Sequence, residues 1–298
     1  MGYLFLAFAN LAGTVKGYCG KKVSDTVKTT QDAMLANFLR MILCSVIGLG
    51  VVVLAGGFGG FRISGEGIFI SFISGLSSAI FVISWLFAVH HGAYMLVDVF
   101  LTVGLIVPIS LCSIFFGEKI EWNHVLGFSI LILAVWVMCS YSSSVKSKMK
   151  IKSLLILLLC GISQGFSSFS QKWFVYSYDG ASIPAFNFYT YVFAAIILLI
   201  SFVALSKIRK EKKDSENFLT KPIATLITVM AIMLFLSSYL MTLAATKLDA
   251  VLLYPLGTGL SLVLSCAMCS VCFKEKLNTK CICGIILSFI SIVFINLI

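Results

Sequence analysis

Long apolar stretches, interrupted at charge clusters and turn residues, follow one another along the whole chain. They divide it into ten pieces, near 2–20, 30–54, 67–90, 93–116, 122–140, 153–172, 182–204, 222–245, 251–273 and 280–298. A helix crossing a hydrocarbon core of about 30 Å needs roughly 20 apolar residues, and the pieces have that reach. None shows the strict alternation of an outer-membrane barrel strand. Inside lipid, a lone segment satisfies its own backbone hydrogen bonds only as a helix. The pattern therefore predicts an all-α integral membrane protein of ten transmembrane helices. The first piece begins at Tyr3 with no basic stretch ahead of it and ends without a small-residue cleavage site, so it reads as a retained span.

The pieces also repeat. Asn37-Phe38-Leu39-Arg40 in the second matches Asn187-Phe188-Tyr189-Thr190 in the seventh, at an offset of 150. Glu118-Lys119-Ile120 matches Glu275-Lys276-Leu277 at an offset of 157, and Gly127 and Gly284 each follow nine residues after the glutamate. Matches in the same order mark an internal duplication. The chain then divides into a first five-helix repeat (1–144), a basic linker (145–152) and a second five-helix repeat (153–298). Five is an odd number, so the second repeat enters the membrane from the opposite side. Two inverted halves can exchange conformations about a site at the membrane midplane, opening it to one side and then the other.

Composition agrees with a lipid solvent: 60% of the residues are hydrophobic and 11% charged, with a mean hydropathy of +1.06, whereas soluble domains are about 25% charged. A net charge of +10 would raise nucleic acid as a partner in a soluble protein. Here the charges lie in the connections and fix topology instead. Connections after pieces one, three, five, seven and nine hold sixteen Lys and Arg, and the alternate connections four, Lys172 among them. That asymmetry predicts cytoplasmic odd connections and outward-facing termini. Most of the ten cysteines are scattered through apolar helices, where cysteine behaves as a small hydrophobe. Cys266, Cys269 and Cys272 share one helix face; soft-cation binding competes there with packing by small residues.

At this point the residues suggest a family. The ten-helix, twice-five plan, the Leu39-Arg40-Met41 element and the Gly117-Glu118-Lys119 turn resemble the drug/metabolite transporter superfamily in its EamA-like branch. The resemblance covers essentially the whole chain and implies a secondary transporter whose termini are usually cytoplasmic, against the lysine count. In the second half, Tyr254-Pro255-Leu256-Gly257-Thr258-Gly259 is similar to the aromatic, glycine-rich third helix of the small multidrug resistance branch. Gly257 and Gly259 would then let two backbones approach closely. That branch binds protons and cationic drugs with a glutamate in its first helix, where this chain has Asn10, with Ile162 at the nearest equivalent in the second half. Simple proton and drug-cation antiport by that glutamate is therefore not expected.

A charge within a span costs roughly 2.5–3.5 kcal/mol at mid-membrane on insertion scales, so each one asks for a reason. Three qualify: Asp98, Arg40 and Lys16. Asp98, the lone acid placed within a span, is aligned with Pro255 by the repeat and would either bind an ammonium group or coupling proton, or neutralise Arg40 or Lys16. Arg40 would hold a carboxylate in its fork or serve structure. Lys16 is expected to reach the headgroups along its own stem. Trp85, Tyr94, Tyr239 and Tyr254 would face a solute or form interfacial belts. Asn10, Ser163, Gln164 and Asn187 would make the cavity polar. His90-His91 is expected to be solvated rather than metal-bound. Nothing resembles a nucleotide loop, a nucleophile elbow or a zinc-protease motif, so neither ATP nor a cofactor is expected, nor enzymatic activity.

The sequence thus predicts a transporter of a small polar organic solute, an amino acid, amine or related metabolite, working by alternating access in a bacterial or archaeal cytoplasmic membrane. The candidate substrate residues are Asp98, Asn10, Trp85, Tyr94, Gln164, Asn187, Tyr239, Tyr254 and Arg40. Membrane lipids surround it, a proton or cation couples to it, and it acts as a monomer or homodimer without nucleic acid. A drug or organic-cation exporter and a lipid-headgroup flippase are the alternatives.

Overall fold

The structure is a computed structural model that describes residues 1–24, 26–27, 29–90, 101, 104–139, 151–178, 182–208, 219–272 and 279–296. Among these lie ten α-helices and no strand. They are α1 (Gly2–Ser24), α2 (Thr30–Gly56), α3 (Gly65–His90), α4 (Ile106–Phe116) and α5 (Trp122–Cys139), then α6 (Ile151–Ser177), α7 (Ile183–Ile208), α8 (Lys221–Ala245), α9 (Ala250–Cys272) and α10 (Thr279–Asn296). Each falls on one of the apolar pieces. Five, α2, α3, α7, α8 and α9, are long and apolar enough to cross a membrane by length and composition. Outward-facing side chains such as Val46, Leu54, Ile114, Trp136 and Ile200 are more than half exposed. So much apolar surface is unfavourable against water and suits acyl chains.

Local chemistry sets several helix ends. At the start of α2, Thr29 Oγ1 accepts from Asp32 N (3.1 Å) and the Asp32 carboxylate accepts from Thr29 N (3.1 Å), a reciprocal cap that satisfies two otherwise orphaned donors. Thr29→Ala is expected to cost about 1 kcal/mol, seen as a slightly lower melting temperature in detergent. At the end of α4, Gly117 takes the left-handed conformation (φ 70°) and its N–H closes on the Ser113 carbonyl. A side chain is strained there, so glycine permits the reversal that turns Glu118 back into the protein.

The most extensive helix contacts are α1 on α8, α3 on α6, α5 on α10 and α2 on α7. Each joins an element of the first half to one of the second. Smaller contacts pair α3 with α7, α2 with α8, α1 with α9 and α4 with α6. Exchanging every helix for the one five places away carries this set into itself: α1·α8 becomes α6·α3, and α3·α7 becomes α8·α2. Aligned residues also behave alike. Asn37 Nδ2 donates to the Ala33 carbonyl at 2.9 Å and Asn187 Nδ2 to the Ile183 carbonyl at 3.0 Å, each one helical turn back.

Tight helix crossings fall at positions other than Gly257. A Cβ on Gly257 would meet the ends of the Leu6, Met241 and Asn10 side chains, at 3.3, 3.4 and 3.8 Å, so no close backbone approach occurs there. The closest approach is at Gly104, where a Cβ would lie 2.2 Å from the Gly161 carbonyl oxygen, and at Gly165, where it would lie 2.4 Å from the Gly104 oxygen. Small residues let these backbones touch.

Candidate functional site

Three helices present polar residues at helical spacing along one face. In α6 they are Gln164, Ser167, Ser168 and Gln171; in α1 Asn10, Gly13, Lys16 and Gly17; in α8 Ser237 and Ser238, continued by Met230, Leu234 and Met241. Steps of three and four residues place such positions on one side of a helix. The three faces converge on a cavity of about 390 Å³, completed by Arg40 and Met41 of α2, Ser78, Phe81, Val82 and Trp85 of α3, Leu101, Tyr191 of α7 and Ser261 of α9. Its volume is that of a small-molecule pocket, and both halves of the chain supply its walls.

The wall is held by hydrogen bonds between helices. Gln171 Nε2 donates to Ser238 Oγ (3.3 Å), and Ser238 Oγ donates onward to Asn187 Oδ1 (2.8 Å), linking α6, α8 and α7. Ser237 Oγ donates to the Ala9 carbonyl (2.8 Å), Ser78 and Ser167 share a hydrogen bond of 3.2 Å, and Tyr191 OH donates to the Leu234 carbonyl (3.4 Å). Asn10 Nδ2 is occupied by the Leu6 carbonyl at 2.8 Å.

Of the nine candidate residues, Asn10, Arg40, Trp85 and Gln164 line the cavity. Asn187 stands behind the lining, fully buried, and orients Ser238. Tyr254 is also buried, and its hydroxyl donates to the Ser168 carbonyl at 2.5 Å, tying α9 to α6. Tyr239 packs in the apolar core with its ring stacked on Phe235 at 6.2 Å. Ser163 donates to the Leu159 carbonyl within its own helix. Asp98, Tyr94 and His91 lie outside the described residues.

Lys16 corrects an expectation. Rather than extending to the headgroups it lines the cavity beside Arg40, because its helical position follows Asn10 and Gly13 on the inward face of α1. Gln171, Tyr191 and the serine-rich faces were not singled out from the sequence. For the α6 face, the spacing of 164, 167, 168 and 171 is the signal that could have found it; Tyr191 and the α8 serines carry no such signal.

A second correction concerns interior charge. Lys172, counted above as a loop residue, lies inside α6, because the helix runs on to Ser177. With Glu118 it forms a buried cluster: the Nζ to Oε1 distance is 3.4 Å, and both side chains are about 4% exposed or less. Lys172 Nζ also donates to the carbonyls of Ala245 (3.1 Å) and Leu248 (2.6 Å), with Asp249 at 3.9 Å. Glu118 Oε2 accepts from Ala250 N at 2.7 Å, at the first residue of α9, where the helix dipole favours a negative group. At the same end, Ser182 Oγ donates to the Gly60 carbonyl (2.8 Å), Tyr189 OH to the Phe61 carbonyl (3.1 Å), and Ser64 bonds Tyr178. These bonds join the first half of the chain to the second.

Comparison with known proteins places this arrangement among others. Residues 151–297, which carry α6 to α10, match the EamA-like transporter family. Among solved structures 28 chains match; one, a crystal structure of a protein, superposes with a TM-score of 0.77 at 14% identity, covering 99% of this chain and 96% of that one. Its likeness concerns the fold. No curated protein matches.

Proposed function

We propose that the protein, whose residues 151–297 match the EamA-like transporter family, is a multi-pass membrane transporter that moves a small polar organic solute by alternating access about the 390 Å³ cavity. The two halves, 1–144 and 153–298, then act as inverted repeats. The observation that carries this reading is the cavity's position: the polar face of α1 with residues of α2 and α3 from one half, and the polar faces of α6 and α8 from the other, meet around it, and the most extensive helix contacts map onto themselves when the halves are exchanged. Symmetric walls allow the same site to be exposed to either side by rocking one half on the other.

The interhalf bonds around Glu118, Lys172, Tyr178 and Tyr189 tie the two halves together at one end. Opening that end requires breaking them. The basic connections follow α1, α5, α7 and α9 in the sequence, and their lysine asymmetry favours a cytoplasmic side for them, with both termini outside.

Solute counterflow in liposomes tests the transport reading. Ser167→Trp, which fills the cavity, is expected to abolish uptake while the purified variant still unfolds cooperatively; uptake at the wild-type rate would show that the solute passes elsewhere. A lipid-headgroup flippase would move labelled lipids and ignore soluble solutes. A reporter placed after Ile298 is expected to score as external, and a cytoplasmic signal would reverse the orientation.

A further inference from the structure

Two cations, Lys16 and Arg40, line the cavity, and among the described residues no Asp or Glu lines it. The other polar groups at its surface, among the described residues, are neutral: amides, serine hydroxyls and a tyrosine. Among the described residues, Arg40 Nε is buried without a hydrogen-bond partner. A buried charge without a counter-charge is costly, and two of the same sign in one low-dielectric space raise that cost by mutual repulsion. An arrangement of this kind is relieved when an anion enters.

We infer that the transported solute carries a compact oxyanion, a carboxylate or phosphate on a small organic body, and that Lys16 and Arg40 are the groups that bind it. The inference rests on the transport reading above and adds the sign of the charge. The guanidinium of Arg40 offers a planar fork of donors matched to an oxyanion, and Lys16 adds a point charge. Gln164 and Gln171 supply neutral donors beside them, and Trp85 offers an apolar face for the solute's body. An amine without an acidic group meets two like charges and is rejected, as specificity by repulsion requires.

The test uses thermal unfolding of the full chain in detergent, with five probes at equal concentration: lactate, succinate, glycerol 3-phosphate, lactamide and putrescine. At least one anion is expected to raise the melting temperature of the wild type, and lactamide and putrescine to leave it unchanged. The carboxylates against glycerol 3-phosphate distinguish the two oxyanion sources. Arg40→Gln and Lys16→Gln are each expected to weaken the anion's affinity about tenfold to a hundredfold, the loss of one charge-assisted hydrogen bond. Each is also expected to raise the melting temperature of the ligand-free protein, since a like-charge contact disappears. A merely structural pair would move that temperature the other way. Arg40→Lys should retain part of the binding. If a variant does not fold, the wild-type probe comparison decides alone. Stabilisation by the amide or amine in preference to every anion, or by none of the five, overturns the inference. Counterflow then separates the two readings: transport of a cationic or neutral solute leaves the transporter standing and removes the oxyanion, and no flux of any solute removes both.

Discussion

Lys172→Met lowers stability by about 3–5 kcal/mol, the usual cost of removing one partner from a buried ion pair, and appears as a large drop in melting temperature. Three groups lose a partner at once: the Glu118 carboxylate at 3.4 Å, which keeps only its weaker neutral donors, and the Ala245 and Leu248 carbonyls at 3.1 and 2.6 Å. A methionine fills much of the volume but donates nothing. The same change loosens the end of the molecule where the α4–α5 turn, α6 and the α8–α9 turn meet. Adding Glu118→Gln removes the stranded charge, so the double variant is expected to be more stable than Lys172→Met alone. Neighbours in one network are not additive. A melting temperature for Lys172→Met within a degree of wild type would show that the cluster does not bear on stability.

Gly104→Val is expected to prevent normal folding. A Cβ at this position would sit 2.2 Å from the Gly161 carbonyl oxygen and 3.0 Å from the Gly161 Cα, both backbone atoms. Overpacking a core by extra carbons costs about 1–3 kcal/mol where side chains can yield. Backbone cannot yield in that way, so α6 must move off the segment that leads into α4, and the loss exceeds that range. Gly257→Ala is the matched control, since the neighbouring atoms there are side-chain ends. Chromatography in detergent checks both: Gly104→Val is expected to aggregate and Gly257→Ala to elute as wild type. Equal behaviour of the two would mean that the crossing is looser than its geometry implies.

Some of the site was legible before the fold. Asn10, Arg40, Trp85 and Gln164 stood out as polar, charged or aromatic residues within apolar runs, and they do reach the cavity. Asn187 and Tyr254 stood out on the same grounds, yet they spend their polar atoms on Ser238 and on the Ser168 carbonyl. In a linear sequence the two kinds look alike, because an apolar context shows that a polar group needs a partner and not which partner it finds. Lys16 shows the converse. A lysine near a helix end usually reaches water, but the rotation of α1 against α8 aims this one inward.

Lipid as the solvent, ten helices and their order follow from the sequence alone, since transfer into a bilayer is decided segment by segment and a helix closes its hydrogen bonds within itself. The Glu118 turn was visible there too, as half of a repeated motif. Only the tertiary structure decided that α1 packs on α8 and α3 on α6, that Glu118 meets Lys172, and that Lys16 and Arg40 share one cavity. In lipid no hydrophobic gain selects one apolar helix face over another. Close glycine contacts and interhelical hydrogen bonds make that choice, and they join residues far apart in the chain.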